Sequence, residues 1–159
     1  METPRMSLVT PRVTGHAPWL RLVRTPRPEY NAPPVLAPVR TPREAAALFS
    51  DLENEDSEVF CVAILNAQHR CIARVEVTRG LLDSSLVHPR EVFRMAIALN
   101  AAALIIAHNH PSGDPTPSAE DRNITAQLVA AGRLLDIAVH DHIIIGAARY
   151  TSFAEQGWL

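Results

Sequence analysis

Ala101-Ala102-Ala103-Leu104-Ile105-Ile106-Ala107, running straight into His108-Asn109-His110, is the stretch that decides the fold of this chain. Seven apolar residues without alternation fit a strand buried on both faces, as the inner strands of an α/β sheet are. Pro111-Ser112-Gly113-Asp114-Pro115 is a turn-rich reversal. Thr116 can then cap, and Pro117 open, a helix to about Ala131, with Ile124, Leu128 and Ala131 facing inward and Gly132 as its stop. Asp136–Ile145 reads as the last strong strand, and Gly146 begins a turn into Tyr150, Phe153 and Trp158.

Upstream, Pro89 opens a helix whose stripe of Val92, Phe93, Ala96, Ile97 and Leu99 ends near Asn100. Val59–Leu65 and Cys71–Thr78 read as two strands of a hairpin around Asn66-Ala67-Gln68. An acidic loop, 51–58, precedes them. Before it, Thr41, Pro42 and Glu44 make a capping box for a short helix through Phe49. Strands and helices alternate, so the expected class is α/β, a mixed central β-sheet flanked by helices.

Residues 1–40 hold eight of the thirteen prolines and favour extended conformations. They are expected to form a flexible Pro/Arg-rich arm, with Trp19, Leu20, Leu22 and Val23 able to anchor one part, and 41–159 to form the single domain. All fifteen cations are arginine. Without lysine, neither a Walker-type phosphate site nor a lysine Schiff base can be built. The arm carries a balance of +4 and the remainder −6, so the body lacks the basic footprint of a nucleic-acid binder and only the arm could supply one. No apolar run approaches the roughly eighteen residues of a membrane span, and no secretory-type stretch opens the chain. A cytoplasmic protein with no membrane partner is expected. Cys61 and Cys71 match no zinc-ribbon spacing; they read as small buried hydrophobes on neighbouring strands, with a cross-strand disulfide as the alternative.

In extended backbone alternate side chains share a face, so His108 and His110 can reach one ion. Paired histidines at a strand end are more often hydrogen-bonded surface residues, and the pair alone decides little. Ser118 and Asp121, three positions apart, are neighbours on one helix face. Asp121 can be the anionic third ligand, with the Ser118 hydroxyl beside the metal. Three protein ligands leave a position for water, the arrangement of a catalytic zinc site. Against this, Ser118-Ala119-Glu120-Asp121 is also a Ser-x-x-acid capping pattern that would occupy both side chains. Thr116 before Pro117 is the better cap, which releases Ser118 and Asp121 to the metal.

His108-x-His110, seven residues, Ser118, two residues, Asp121 resembles the JAMM signature of the JAB/MPN metallopeptidase superfamily. Val87-His88-Pro89-Arg90-Glu91-Val92-Phe93, His108-Asn109-His110-Pro111-Ser112-Gly113-Asp114-Pro115 and Asp141-His142-Ile143-Ile144-Ile145-Gly146 look like its RadC-like branch, over about residues 42–158. The resemblance implies a JAB/MPN, cytidine-deaminase-like architecture with one zinc ion held by His108, His110 and Asp121. It implies a catalytic glutamate at Glu58 that deprotonates the zinc-bound water, and a catalytic serine at Ser118 that stabilises the oxyanion. Glu58 also ends a solvated acidic run, and Glu76 on the next strand competes for the role. His140, Asp141 and His142 read either as partners that orient a ligand imidazole or as satisfied structural residues; His88 reads as a helix-entry residue. A zinc deaminase would require a Pro-Cys-x-x-Cys pair, which the sequence lacks.

The implied function is a zinc-dependent metallopeptidase or isopeptidase acting on a peptide or isopeptide substrate. The alternative is a DNA-repair or mobile-element-associated accessory protein, with DNA bound through the arm. RadC-like proteins often carry a helix-hairpin-helix module that this sequence lacks. A third reading is a zinc-binding scaffold without turnover.

Overall fold

The computed structural model describes residues 37–80 and 87–159. The arm assigned to residues 1–40 therefore lies, up to residue 36, outside the described residues. Pairing has begun by Val39, whose N–H donates to the His69 carbonyl at 2.8 Å.

Chain order is α1 (Pro42–Ala47), a 3-10 turn (Ser50–Asn54), β1 (Val59–Leu65), β2 (Cys71–Arg79), α2 (Pro89–Ala98), β3 (Ala103–Asn109), α3 (Ala119–Leu135), β4 (Ala138–Gly146) and β5 (Arg149–Ser152). The five strands make one mixed sheet in the order β2-β1-β3-β4-β5. β3 pairs antiparallel with β1 and parallel with β4, and α3 is the crossover that a parallel neighbour requires. Every residue of β3 is buried, the outcome expected of an apolar run without alternation, and every residue of β1 is buried beside it.

Each sheet face has its own core. Cys61, Ala63, Leu65, Ile105, Ile143 and Ile145 pack with Ala45, Phe49 and Leu52 on one side. Phe60, Val62, Ile64, Leu104 and Ile106 pack with Phe93 of α2 and with Ile124 and Leu128 of α3 on the other. Each fully buried Phe, Leu or Ile contributes about 1.5–3 kcal/mol, so the ends of β1 and β3 are fixed points on which a site can be mounted.

Local signals place two helix starts as expected. Thr41 and Glu44 close their capping box, and His88 caps α2 by accepting from the Arg90 N–H at 3.1 Å. Elsewhere the boundaries move. Asn100 takes a left-handed φ of 52°, so Ala101 and Ala102 belong to a turn and β3 extends instead through His108 and Asn109. Thr116 does not cap α3. Its N–H and hydroxyl both donate to Asp114 Oδ1, at 3.2 and 2.9 Å, and Ser118 is the cap. Gly132 does not end α3 either. A Cβ there would lie 2.4 Å from the Ile137 carbonyl, so the glycine lets the chain fold back against the helix, which stops at left-handed Asp136. Cys61 and Cys71 are free thiols, not a cross-strand disulfide. Among the described residues no helix is long and apolar enough to cross a membrane.

Candidate metal centre

Four side chains meet where β1, β3 and α3 come together. Glu58 immediately precedes β1, His108 lies near the end of β3, His110 follows it, and Asp121 sits in the first turn of α3. One nitrogen or oxygen from each lies within 4.8 Å of the others, the spacing of a set that could hold a metal ion. His108 Nε2 is 3.1 Å from His110 Nε2, 3.1 Å from Asp121 Oδ1 and 3.7 Å from Glu58 Oε1. His108 is fully buried, and Phe60 stacks on its ring.

The turn 110–115 is pressed onto the end of β4. His110 N–H donates to the Ile145 carbonyl and Ala147 N–H to the Gly113 carbonyl, both at 2.9 Å. Gly146 permits this approach, since a Cβ there would lie 2.5 Å from the Gly113 oxygen. Histidine spacing in the sequence thus becomes a fixed ring position.

Hydrogen bonds fix which ring nitrogens face the site. His110 Nδ1 is 2.7 Å from the Asp114 carbonyl, which can only accept, so Nδ1 carries the proton and Nε2 presents a lone pair. For His108 the assignment passes through three residues. Thr125 Oγ1 donates to the Asp121 carbonyl at 2.5 Å, so the same oxygen must accept from His142 Nδ1 at 2.6 Å. His142 Nε2 then accepts from His108 Nδ1 at 2.9 Å, and His108 Nε2 is left as a second lone pair. Burial, reinforced by His108, holds the His142 pKa well below its ordinary value, so that ring stays neutral as the relay requires.

Two lone pairs 3.1 Å apart beside carboxylates demand a positive charge between them. The donor set therefore fits a divalent cation. Without one, a proton takes the place: the bond to Asp121 pushes the His110 pKa up, against the opposing pull of burial. In that proton-filled state burial acts upward on Asp121, but the His108 and His110 rings facing it outweigh burial and hold the carboxyl well below the usual range. A metal must displace the His110 proton, so its affinity falls as pH falls.

Asp121 caps α3 and still faces both histidines, two arrangements that the sequence offered as alternatives. Oδ2 accepts from the Ser118 N–H at 2.7 Å and from the Ser118 hydroxyl at 2.8 Å, while the Asp121 N–H donates back to Ser118 Oγ at 3.0 Å. Oδ1 faces His108 and Oδ2 lies 3.5 Å from His110. The capping box positions the carboxylate instead of consuming it.

Of the competing glutamates, Glu58 is in the cluster. Glu76 is tied to Arg79 at 2.8 Å with its side chain 46% exposed. The trio on β4 also separates. A bulge inserts His140, since Leu104 pairs with Val139 and Ile105 with Asp141. His142 joins the relay, whereas His140 packs beside His69 with ring centroids 5.1 Å apart. Asp141 accepts from the Ser152 hydroxyl and from the His142 and Ala154 N–H groups. Thr125 was not singled out from sequence, although it lies four residues after Asp121 and therefore on the same helix face.

His142→Phe keeps the buried ring but removes the acceptor for His108 Nδ1–H. It is expected to weaken metal binding about 10–100-fold, measured by competition with a chromogenic chelator. Unchanged affinity would show that His108 needs no relay.

The fold and the donor set together define an α/β domain of the JAB type. The RadC-like JAB domain family matches residues 39–158, and the chain belongs to that family. A UPF0758 protein of Symbiobacterium thermophilum is 57% identical over 102 residues, covering 64% of this chain and 44% of that protein. UPF0758 proteins of Histophilus somni and Actinobacillus succinogenes are 49% and 48% identical over 112 residues, covering 70% of this chain and 50% and 51% of theirs. The chain thus spans about half the length of the curated relatives it matches.

Proposed function

We propose that this chain is a zinc-dependent hydrolase of peptide or isopeptide bonds. The observation that carries this reading is the convergence of two outward lone pairs and the Asp121 carboxylate on one point, with Glu58 beside it. Neutral imidazoles and carboxylate oxygens with no thiolate suit zinc. Zinc bound there supplies a Lewis acid that acidifies water and polarises a scissile carbonyl.

The chain's own residues provide the proton traffic. Glu58, its side chain 19% exposed, is open enough to meet water and close enough to the donors to take a proton from the attacking molecule. It then returns that proton to the leaving amine. Ser118 Oγ accepts from the Asp121 N–H, and its own proton points at Asp121 Oδ2. Rotation about the Cβ–Oγ bond redirects that proton to a developing oxyanion while the helix cap stays closed.

The test is hydrolysis of peptide and isopeptide panels by the full chain with zinc, after chelation, and after zinc is restored. Turnover should vanish on chelation and return with zinc; turnover indifferent to chelation would rule the reading out. Association with DNA through residues 1–40 is a separate reading, carried by six arginines against two acids. Such binding should weaken steeply with salt and disappear when the arm is deleted. A scaffold role would show as metal-dependent stability with no turnover on any bond.

A further inference from the structure

Asn109 stands between the two metal-facing histidines, and strand alternation turns it to the opposite sheet face. It is 2% exposed and uses its whole amide. Oδ1 accepts from the Val59 N–H at 2.8 Å, while Nδ2 donates to the Ser57 carbonyl at 3.0 Å and to the Glu55 carbonyl at 3.2 Å. The partners fix the amide orientation, because an N–H must meet the oxygen and carbonyls must meet the nitrogen.

Those partners flank Glu58. Ser57 precedes it, Val59 follows it, and the Glu58 carbonyl accepts from the Gly80 N–H at 2.9 Å. The glutamate's backbone is therefore gripped from the β3 side by Asn109 and from the β2 side by Gly80. The backbone pairing of β3 with β1 starts one residue later, at Phe60 and His108. Asn109 extends that ladder with a side chain.

We propose that Asn109 is the positioning residue for Glu58, holding the segment 55–59 so that the carboxylate faces the donors presented by its neighbours His108 and His110. This rests on the hydrolase reading. It assigns the three letters His-Asn-His to two faces of one strand: the imidazoles hold the ion and the amide sets the base against it. Register between base and metal is then fixed within three consecutive residues. Alanine at 109 leaves two carbonyls and one N–H without their partner and frees the segment to shift.

The test pairs Asn109→Ala with Glu58→Gln and with the double variant in the zinc-loaded full chain. Asn109→Ala should keep one metal per chain. Amide exchange should quicken at least about tenfold over residues 55–59 while β3 and β4 keep their protection. Its kcat should drop about 10–100-fold at unchanged KM, and the double variant should be no slower than Glu58→Gln alone. Should Asn109→Ala not fold, Asn109→Ser, which leaves a small polar group, takes its place. Losses that multiply in the double variant, or faster exchange throughout the sheet, would assign Asn109 a merely structural role. An inert wild type would sink this inference together with the hydrolase reading; an active wild type whose Asn109 variants keep their kcat would sink this inference alone.

Discussion

Asp121→Ala is expected to lose the metal and loosen the start of α3 together, whereas Asp121→Asn should lose only the metal. Alanine removes the carboxylate that faces both histidines and also the acceptor for the Ser118 N–H. Whole zinc sites in small domains bind with roughly 10 kcal/mol or more, so deleting one of three ligands should cost on the order of 3 kcal/mol, above 10²-fold in affinity. Loss of the capping partner should cost about 1 kcal/mol more, a fall of roughly 3–5 °C in the melting temperature of the metal-free chain. Asparagine keeps an oxygen for the Ser118 N–H but carries no charge. Its metal-free form should melt near the wild type, with elemental analysis showing no retained zinc after dialysis. Equal melting of the two variants would mean that the cap does not depend on this side chain. Stoichiometric zinc in Asp121→Ala would remove Asp121 from the ligand set.

The Asp121 pair also marks where sequence reading reaches its limit. The pattern Ser-x-x-Asp at the start of a helix was legible, and so was the His-x-His strand end. A cap and a carboxylate turned to the histidines are not exclusive, because Oδ2 accepts from Ser118 while Oδ1 faces His108. Placing the cap on Thr116 failed for a local reason, the prior claim of Asp114 Oδ1 on that residue. Burial of β3 could be read from its composition, whereas β1 read only as a hairpin strand and is buried as completely. The start of β3 could not, since Ala101 and Ala102 are as apolar as the strand itself and only the left-handed turn at Asn100 excludes them.

Long-range partners account for the rest. His140 and His142 have the same spacing as His108 and His110, yet a bulge sends them to different surroundings, and bulges leave no clear mark in one sequence. Asn109 acts on a segment fifty residues earlier, and nothing between them announces the pairing. Thr125 was within reach of helical spacing from Asp121, but its function as the end of a proton-ordering chain depends on His142 facing it across the core. The residues of the cluster thus follow from local pattern, while the groups that orient them follow from the closed sheet.

Glu58→Gln is the variant with the largest expected effect on turnover at constant metal content. Glutamine fills the same space and can still hydrogen-bond to water, but it cannot take up a proton. General-base catalysis contributes about 10²–10⁴-fold, so kcat should fall by that factor with KM little changed. Zinc binding should persist, because His108, His110 and Asp121 remain. Glu76→Gln supplies the contrast. That carboxylate is bonded to Arg79, whose partnership holds its pKa below the ordinary value, and it lies toward solvent outside the donor cluster. Its kcat should stay within about twofold of wild type, since the lost ion pair is exposed and screened by solvent. A reversed ranking, with Glu76→Gln the slower variant, would mean that the segment before β1 is not where the proton goes. The assignment of Glu58 would then fall, while the metal set, which rests on the two lone pairs and Asp121, would stand unaffected.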